Sequence, residues 1–489
     1  MPDLTLTRRT AKGIAWTAIA QAVRLGLTFL IVAVLARLLN PKDFGLIAMV
    51  AVFTNLFLLL NDLGLSAALV QKSEVEEQQL SSAFWINLIE GVAVTGLFVA
   101  AAPLVASFYS KPVLLPIMIV LSVNFTLSSF GIIQFALFSR EMDFKTLSII
   151  EMIAAAAAGI IAIIFAVLGF GVWSLVAQSL ISTGLTAFLL FFRCEWKPRR
   201  FMRWKPVREL LRFGLPLMGF NLINYFSRNT DNLLIGKFLG STPLGYYDLA
   251  YRLLLFPLGN VSMIFGRVMF PALSRIKHDK ARVRSAYIRA TRLIAVVVFP
   301  VMAGAVVLAQ PFVRVVFGTK WGPSAFLIEV LSLVAIIQSV GSTVGWIYQS
   351  QGRTGVLFKW GIFATAICIT GIGVGLIWGV DGVAVGYAIA VILLLYPLFA
   401  IPFRFIDMNF LHFVGHFKYI AGATVITAAL ILGIRMLFEK LLGTGDLLML
   451  LVSIAVGAVA YLVLISVLDK GVVDDFFEMA RELKAGGMA

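Results

Sequence analysis

Apolar stretches of about 20 residues recur along the whole chain, and this is the length that an α-helix needs to cross roughly 30 Å of hydrocarbon. Lipid offers no partners to backbone N–H and C=O groups, so segments of this kind fold as helices. The sequence therefore predicts an all-α polytopic membrane protein with about fourteen transmembrane helices. The stretches are centred near residues 26, 53, 93, 126, 158, 182, 222, 255, 298, 336, 366, 392, 427 and 457.

The composition agrees with a membrane protein. Of the 489 residues, 60% are hydrophobic and only 13% are charged, and the mean hydropathy is +0.97. The longest polar stretches, near residues 193–212 and 267–292, have the size of loops and leave no room for a folded soluble domain. The two cysteines, Cys194 and Cys368, are too few for a disulfide framework or a cysteine-rich metal site.

The basic residues indicate the orientation of the chain in the membrane. The formal net charge is +15, but the Lys and Arg residues concentrate in alternate loops, as the positive-inside rule requires. We therefore interpret the charge as a topology signal and as a surface for anionic membrane lipids, not for nucleic acid. The rule places both termini in the cytoplasm, and the N-terminal segment is typical of a retained signal anchor.

Two copies of one pattern follow each other along the chain. The matching segments are 37–46 with 237–246, 120–131 with 330–341, and 169–172 with 379–383. Because the three matches keep their order at offsets of 200 to 210 residues, they indicate a duplicated six-helix lobe. An even number of spans gives both copies the same orientation, so we expect two parallel lobes around a cavity and transport by alternating access.

The duplication predicts four parts of the chain, of which the last has no counterpart in the repeat. They are an N-lobe of spans 1–6 at residues 1–192, a basic cytoplasmic linker at 193–208, a C-lobe of spans 7–12 at 209–404, and spans 13 and 14 with a cytoplasmic tail at 405–489.

Four segments carry a family resemblance. They are 38–45, 62–71 (DLGLSAALVQ), 231–240 (DNLLIGKFLG) and 270–275 (FPALSR). Together they resemble the polysaccharide transporter family, the Wzx-type flippases of the colanic-acid and O-antigen exporter kind, within the multidrug/oligosaccharidyl-lipid/polysaccharide superfamily. The resemblance covers essentially the whole chain. It implies a protein of the bacterial cytoplasmic (inner) membrane that moves an undecaprenyl-diphosphate-linked oligosaccharide from the inner to the outer leaflet, with a polysaccharide polymerase and other assembly proteins as partners.

Elementary energetics fits that class of substrate. A long polyprenyl tail gains about 0.8 kcal/mol for each buried CH₂ group, so it stays in the lipid while only the head group needs shelter. A diphosphate inside the membrane needs compensating cations, and Arg is the side chain best suited to bind it. Arginines within the spans are therefore the first candidates for substrate binding.

Polar residues form one stripe on span 1 and a second on span 7. The stripes consist of Thr17, Gln21, Arg24 and Thr28, and of Asn221, Asn224, Tyr225, Arg228, Asp231 and Asn232. We hypothesise that Arg24 and Arg228 face each other across the cavity and hold the diphosphate, with Gln21, Asn221 and Asn224 beside them. In the alternative interpretation Asp231 binds Arg228 at i+3 and Arg24 makes a structural contact between the lobes.

Each of the other candidate site residues has two possible roles. Arg252 either contacts substrate or forms a local ion pair with Asp248 one turn earlier. Tyr225 either stacks on a sugar or belongs to the interfacial aromatic belt. Asp231, Glu90 and Glu329 are candidates for coupling transport to an H⁺ or Na⁺ gradient, and the alternatives for them are a salt bridge and a place at the membrane interface.

The sequence offers no pattern for enzymatic chemistry. It contains no Walker-type phosphate loop, so ATP is not the expected energy source, and we expect neither a cofactor nor a metal site. His412 and His416 share a helix face but have no third ligand nearby. Two other functional classes stay open. One is a drug/cation antiporter or a lipid II-type flippase of the same superfamily, and the other is a passive scramblase or a scaffold of the polysaccharide assembly complex.

Overall fold

The computed structural model describes residues 23–61, 66, 69, 75–199, 225, 229–442, 446–472, 474 and 475. Within them, fourteen helices of ten residues or more follow one another. These are α1 (residues 23–38), α2 (Pro41–Leu60), α3 (Glu77–Phe108), α4 (Leu114–Arg140), α5 (Phe144–Val167), α6 (Val172–Arg193), α7 (residues 229–238), α8 (Ser241–Arg275), α9 (Lys280–Val316), α10 (Pro323–Gly341), α11 (Thr354–Gly375), α12 (Gly379–Phe403), α13 (Lys418–Leu437) and α14 (Asp446–Leu468).

The helical fold and the number of helices confirm the prediction made from the apolar stretches. Ten segments of the described residues are long and apolar enough to cross a membrane, and one of them, Thr354–Ile406, contains both α11 and α12. Periodic apolar runs predict such helices well because a span in lipid must satisfy its own backbone. The protein is a multi-pass membrane protein.

Short polar signals set where several helices begin. At the start of α2, the Asp43 carboxylate accepts a hydrogen bond from the Asn40 backbone N–H at 3.0 Å, and Pro41 occupies the first turn. At the start of α5, Asp143 accepts from the Thr146 backbone N–H at 3.1 Å. Both carboxylates satisfy backbone donors that the first helical turn leaves without partners.

The chain divides into two compact units between Gly245 and Tyr246. In the first unit, a buried amide holds the end of α2 against α4. The Asn61 Nδ2 atom donates to the Phe125 carbonyl at 3.2 Å and to the Ser128 Oγ at 2.8 Å. Phe57 and Phe98 pack edge-on beside this contact, with ring centroids 5.1 Å apart. An amide hydrogen bond of this kind fixes the packing of helices that lipid would otherwise leave free to slide.

The repeat offset of 200 residues reappears in the first unit as a reciprocal contact. A Cβ atom placed on Gly45 would lie 1.7 Å from the Ser241 carbonyl oxygen, and one placed on Gly245 would lie 2.0 Å from the Pro41 carbonyl oxygen. Adding 200 to 45 and 41 gives 245 and 241, so each copy of the motif makes the same contact with the other. The starts of α2 and α8 approach so closely that only glycine fits at both positions.

The second unit holds the terminal helix pair against α9. Arg292 donates through one nitrogen to both carboxylate oxygens of Asp469, each at 2.7 Å. At the other end of α9, Arg314 contacts Asp446 at 3.1 Å. A cluster of buried Leu and Ile side chains lies between the two ion pairs. Spans 13 and 14 are therefore attached to the preceding helices at both ends of α9.

Candidate functional site

An open cavity of about 700 Å³ is formed by the helices of the first unit, and its volume falls within the roughly 300–1,000 Å³ that is typical of ligand pockets. Its walls come from α1, α4, α5 and α6. The lining residues are Arg24, Leu25, Thr28, Ser66, Ser128, Gly131, Ile132, Phe135, Glu151, Ala155, Ser182, Thr183, Thr186, Ala187 and Leu190. One cation, one carboxylate and several hydroxyl groups thus share a cavity within a bundle of apolar helices.

The two charged residues of the cavity form an ion pair. The Arg24 Nη1 atom on α1 donates to the Glu151 Oε2 atom on α5 at 2.8 Å, across 127 residues of sequence. Each side chain is 35% exposed, so the pair lines the cavity and is not sealed beneath it. An arginine within the membrane is costly unless it has a partner, and Glu151 supplies one.

Small residues on α5 bring the two charged helices together. The buried face of α5 includes Ala154, Ala158 and Gly159, and a Cβ atom on Gly159 would lie 2.3 Å from the Ile31 Cδ1 atom on α1. Ile31 follows Arg24 by two helical turns, and Gly159 follows Glu151 by just over two turns. The close contact and the ion pair therefore hold α1 and α5 in one register.

Hydroxyl groups on α4 and α6 also line the cavity, among apolar side chains. Ser182, Thr183 and Thr186 on α6 line it, with Ser128 on α4. The Ser128 side chain is fixed by a hydrogen bond that its Oγ atom accepts from Asn61 at 2.8 Å. Hydroxyl groups donate and accept, so they suit phosphate oxygens and sugar hydroxyls alike.

Helix lengths give the position of the ion pair and of Thr186 along α1, α5 and α6. Glu151 lies seven residues after the start of α5, and Thr186 seven residues before the end of α6, which corresponds to about 10 Å along each helix. Arg24 lies fourteen residues before the end of α1, which corresponds to about 21 Å along that helix. A span is roughly 30 Å long, so about 10 Å remain on the other side of Arg24. Measured from the end where α5 begins, the ion pair thus lies about one third of the way along a helical span of roughly 30 Å.

The structure brings some of the residues of the sequence hypothesis to this cavity. Arg24 and Thr28 line it. Gln21, Asn221, Asn224 and Arg228 lie outside the described residues. The pairing of Arg24 with Arg228 across a cavity therefore stays a prediction.

Two other candidates have local partners. Arg252 donates to Asp248 at 2.7 Å, one turn away on α8, which is the ion pair that the alternative interpretation expected. The Tyr225 hydroxyl group donates to the Val52 carbonyl oxygen on α2. Neither residue lines the cavity of the first unit.

The three acidic candidates for ion coupling also lie away from this cavity. Asp231 is 8% exposed, and one of its carboxylate oxygens accepts from the Asn232 backbone N–H at 2.8 Å. Glu90 lies half-buried on α3 and Glu329 half-buried on α10. The carboxylate that does line the cavity is Glu151, which the sequence analysis did not single out. The available signal was a lone carboxylate within span 5.

Groups of three or more His, Cys, Asp or Glu side chains that could hold a metal ion do not occur among the described residues. Just beyond α6, burial raises the pKa of the Cys194 thiol above its ordinary value, and nearby Lys197 lowers it only in part. This thiol stays protonated near neutral pH and is a poor nucleophile.

Comparisons with known proteins agree on one family. A family sequence model described as "Polysaccharide biosynthesis protein" matches residues 34–326. The succinoglycan biosynthesis transport protein ExoT of Rhizobium meliloti is 28% identical over 487 residues, which cover 98% of this chain and 97% of that protein. The lipopolysaccharide biosynthesis protein WzxC of Escherichia coli is 28% identical over 393 residues, 80% of each chain.

A solved structure shows the same fold. The lipid II flippase MurJ in an inward closed conformation superposes with a TM-score of 0.74, over 94% of this chain and 99% of that one. The two sequences are 17% identical, so the similarity concerns the arrangement of the helices.

Proposed function

Because the chain belongs to the polysaccharide biosynthesis protein family, we propose that it is a flippase for a polysaccharide repeat unit linked to undecaprenyl diphosphate. It moves the head group from the inner to the outer leaflet of the bacterial cytoplasmic membrane. The observation that carries this proposal is the cavity of the first unit, where Arg24 and several hydroxyl groups meet within apolar helices.

The cavity suits the head group of such a lipid. Arg24 can bind a diphosphate through charge-assisted hydrogen bonds, which are about twice as strong as those between neutral groups. The hydroxyl groups of Ser182, Thr183 and Thr186 can replace water around phosphate and sugar oxygens. The polyprenyl tail stays in the lipid, because moving it into a polar site would forfeit about 0.8 kcal/mol for each CH₂ group.

The position of the ion pair fits the loading step. The positive-inside rule assigns the start of α5 and the end of α6 to the cytoplasmic side. Arg24 and Glu151 then lie about 10 Å below the inner leaflet surface, within reach of a diphosphate that enters from that leaflet. We propose that alternating access then exposes the head group to the opposite side, and that an H⁺ or Na⁺ gradient drives the cycle.

Deletion of the gene tests this function. We expect lipid mass spectrometry to show accumulation of the completed undecaprenyl-diphosphate-linked unit, together with loss of surface polysaccharide. A plasmid that carries the wild-type gene restores both quantities, and one that carries Arg24→Ala at equal protein level does not. Unchanged lipid-linked pools and unchanged surface polysaccharide in the deletion strain would contradict the proposal and favour a drug/cation antiporter.

A further inference from the structure

We propose that Glu151 is the internal counter-anion of Arg24, and that the diphosphate of the substrate displaces it on binding and is displaced by it on release. This inference rests on the proposed function, since it concerns the same cavity. It assigns to Glu151 the role of a positioning residue that acts through Arg24.

An isolated arginine within the membrane is costly. Helix length together with the positive-inside rule puts Arg24 about 10 Å within the hydrocarbon layer, where a charged side chain without a partner is expensive. When no substrate is bound, the carboxylate at 2.8 Å neutralises the guanidinium group. Among the described residues that line the cavity, the charges of Arg24 and Glu151 thereby cancel.

The Arg24–Glu151 ion pair is accessible from the cavity. Both side chains of the Arg24–Glu151 pair are 35% exposed and line a cavity. The Arg292–Asp469 pair of the second unit differs, because its side chains are 19% and 9% exposed and one Arg nitrogen contacts both carboxylate oxygens at 2.7 Å. Both pairs connect two segments of the chain, but only the Arg24–Glu151 pair is exposed enough to meet a ligand.

The Glu151 carboxylate and a bound diphosphate compete for Arg24 because both are negatively charged. A diphosphate that binds Arg24 comes close to the Glu151 carboxylate, and the repulsion weakens its binding. The same repulsion promotes release once the head group has crossed. Transport needs both a site that binds and a site that lets go, and an internal anion meets this need without any change in the arginine.

The experiment measures binding of farnesyl diphosphate to the purified full-length protein in detergent by calorimetry. Glu151→Gln keeps the shape of the side chain and removes its charge, so we expect the affinity to rise by about tenfold or more. Glu151→Asp keeps the charge on a shorter side chain, and we expect an affinity between those of the wild type and Glu151→Gln. We expect Arg24→Gln to abolish binding, and we expect the double variant Arg24→Gln/Glu151→Gln not to bind either.

A matched control removes a charge elsewhere. Glu439→Gln also breaks an ion pair, that with Arg435 at 2.9 Å in the second unit, and we expect it to leave the affinity for farnesyl diphosphate unchanged. Thermal unfolding of each variant establishes that it is folded. If Glu151→Gln is not folded, the affinity of Glu151→Asp is compared with that of the wild type instead.

The outcomes separate the two claims. In one outcome the wild type binds farnesyl diphosphate, Arg24→Gln does not, and Glu151→Gln or Glu151→Asp binds no more tightly than the wild type. The counter-anion role of Glu151 is then wrong, and the proposed function stands. If neither the wild type nor any variant binds farnesyl diphosphate, the proposed function fails, and the role of Glu151 fails with it.

Discussion

The reciprocal contact between α2 and α8 allows a quantitative prediction for Gly45→Ala and Gly245→Ala. The added Cβ atom would lie 1.7 Å from a carbonyl oxygen at the first position and 2.0 Å at the second. Carbon and oxygen atoms in close helix contacts stay about 3.3 Å apart, so the helices must separate by about 1.3 to 1.6 Å. Overpacking of this kind costs about 1–3 kcal/mol.

The two substitutions act on one interface, and this determines how they combine. Each alone should destabilise the protein by a similar amount, because the two contacts mirror each other. The double variant should lose less than the sum, since the first Cβ atom already separates the helices. The matched control is Gly96→Ala on α3, where a Cβ atom meets nothing within 4 Å and alanine favours the helix by up to about 1 kcal/mol.

Thermal unfolding in detergent, followed by the fluorescence of the nine tryptophans, measures these effects. We expect the midpoint to fall by about 2–12 °C for either interface variant, at about 2–4 °C per kcal/mol. Gly96→Ala should unfold at the wild-type temperature or above. The reasoning fails if Gly45→Ala or Gly245→Ala is as stable as Gly96→Ala, or if the two effects add in full.

Three further predictions concern other contacts. Arg292→Ala leaves the buried Asp469 carboxylate without its cation and should lower the free energy of unfolding by about 3–5 kcal/mol. Arg282→Ala, in an exposed ion pair, should lower it by about 1 kcal/mol or less. Equal midpoints of the two variants in thermal unfolding would refute the prediction for Arg292. Gly159→Val should lower the midpoint by pushing α1 from α5, and Ile31→Ala in the same chain should recover most of the loss. Because burial raises the pKa of Cys194, its maleimide labelling at pH 7.5 should be slower in the native than in the unfolded protein and should accelerate as pH rises; equal rates in both states would contradict this.

The sequence predicts the helices because lipid imposes an apolar pattern on every span, and it predicts the duplication because both copies keep one motif. An apolar run of sufficient length has to form a helix in the membrane. The motif repeat is visible because both copies make the same close contact. Gly45 faces the carbonyl oxygen of Ser241, four residues before Gly245, and Gly245 faces that of Pro41, four residues before Gly45. A local pattern therefore carried information about a contact distant in sequence.

The partner of Arg24 could not be identified from the sequence in the same way. Glu151 lies on another helix, 127 residues away, and the alignment of the two helices depends on small side chains such as Gly159 that fit against α1. Helical periodicity gives the face on which a residue lies, but not the neighbouring helix that it meets. The presence of a lone carboxylate within an apolar span was the remaining clue.

Under the proposed function, the protein carries a diphosphate-linked glycolipid across a bilayer by means of Arg24. The most direct measurement uses proteoliposomes that contain the purified protein and an undecaprenyl-diphosphate-linked oligosaccharide, with a membrane-impermeant glycosidase added outside. We predict that wild-type protein makes nearly all of the glycolipid accessible, whereas Arg24→Ala and protein-free liposomes expose only the outer-leaflet share, about half by the geometry of a symmetric bilayer. Accessibility that stays at the outer-leaflet share with wild-type protein, under an imposed ion gradient as well, would contradict the account.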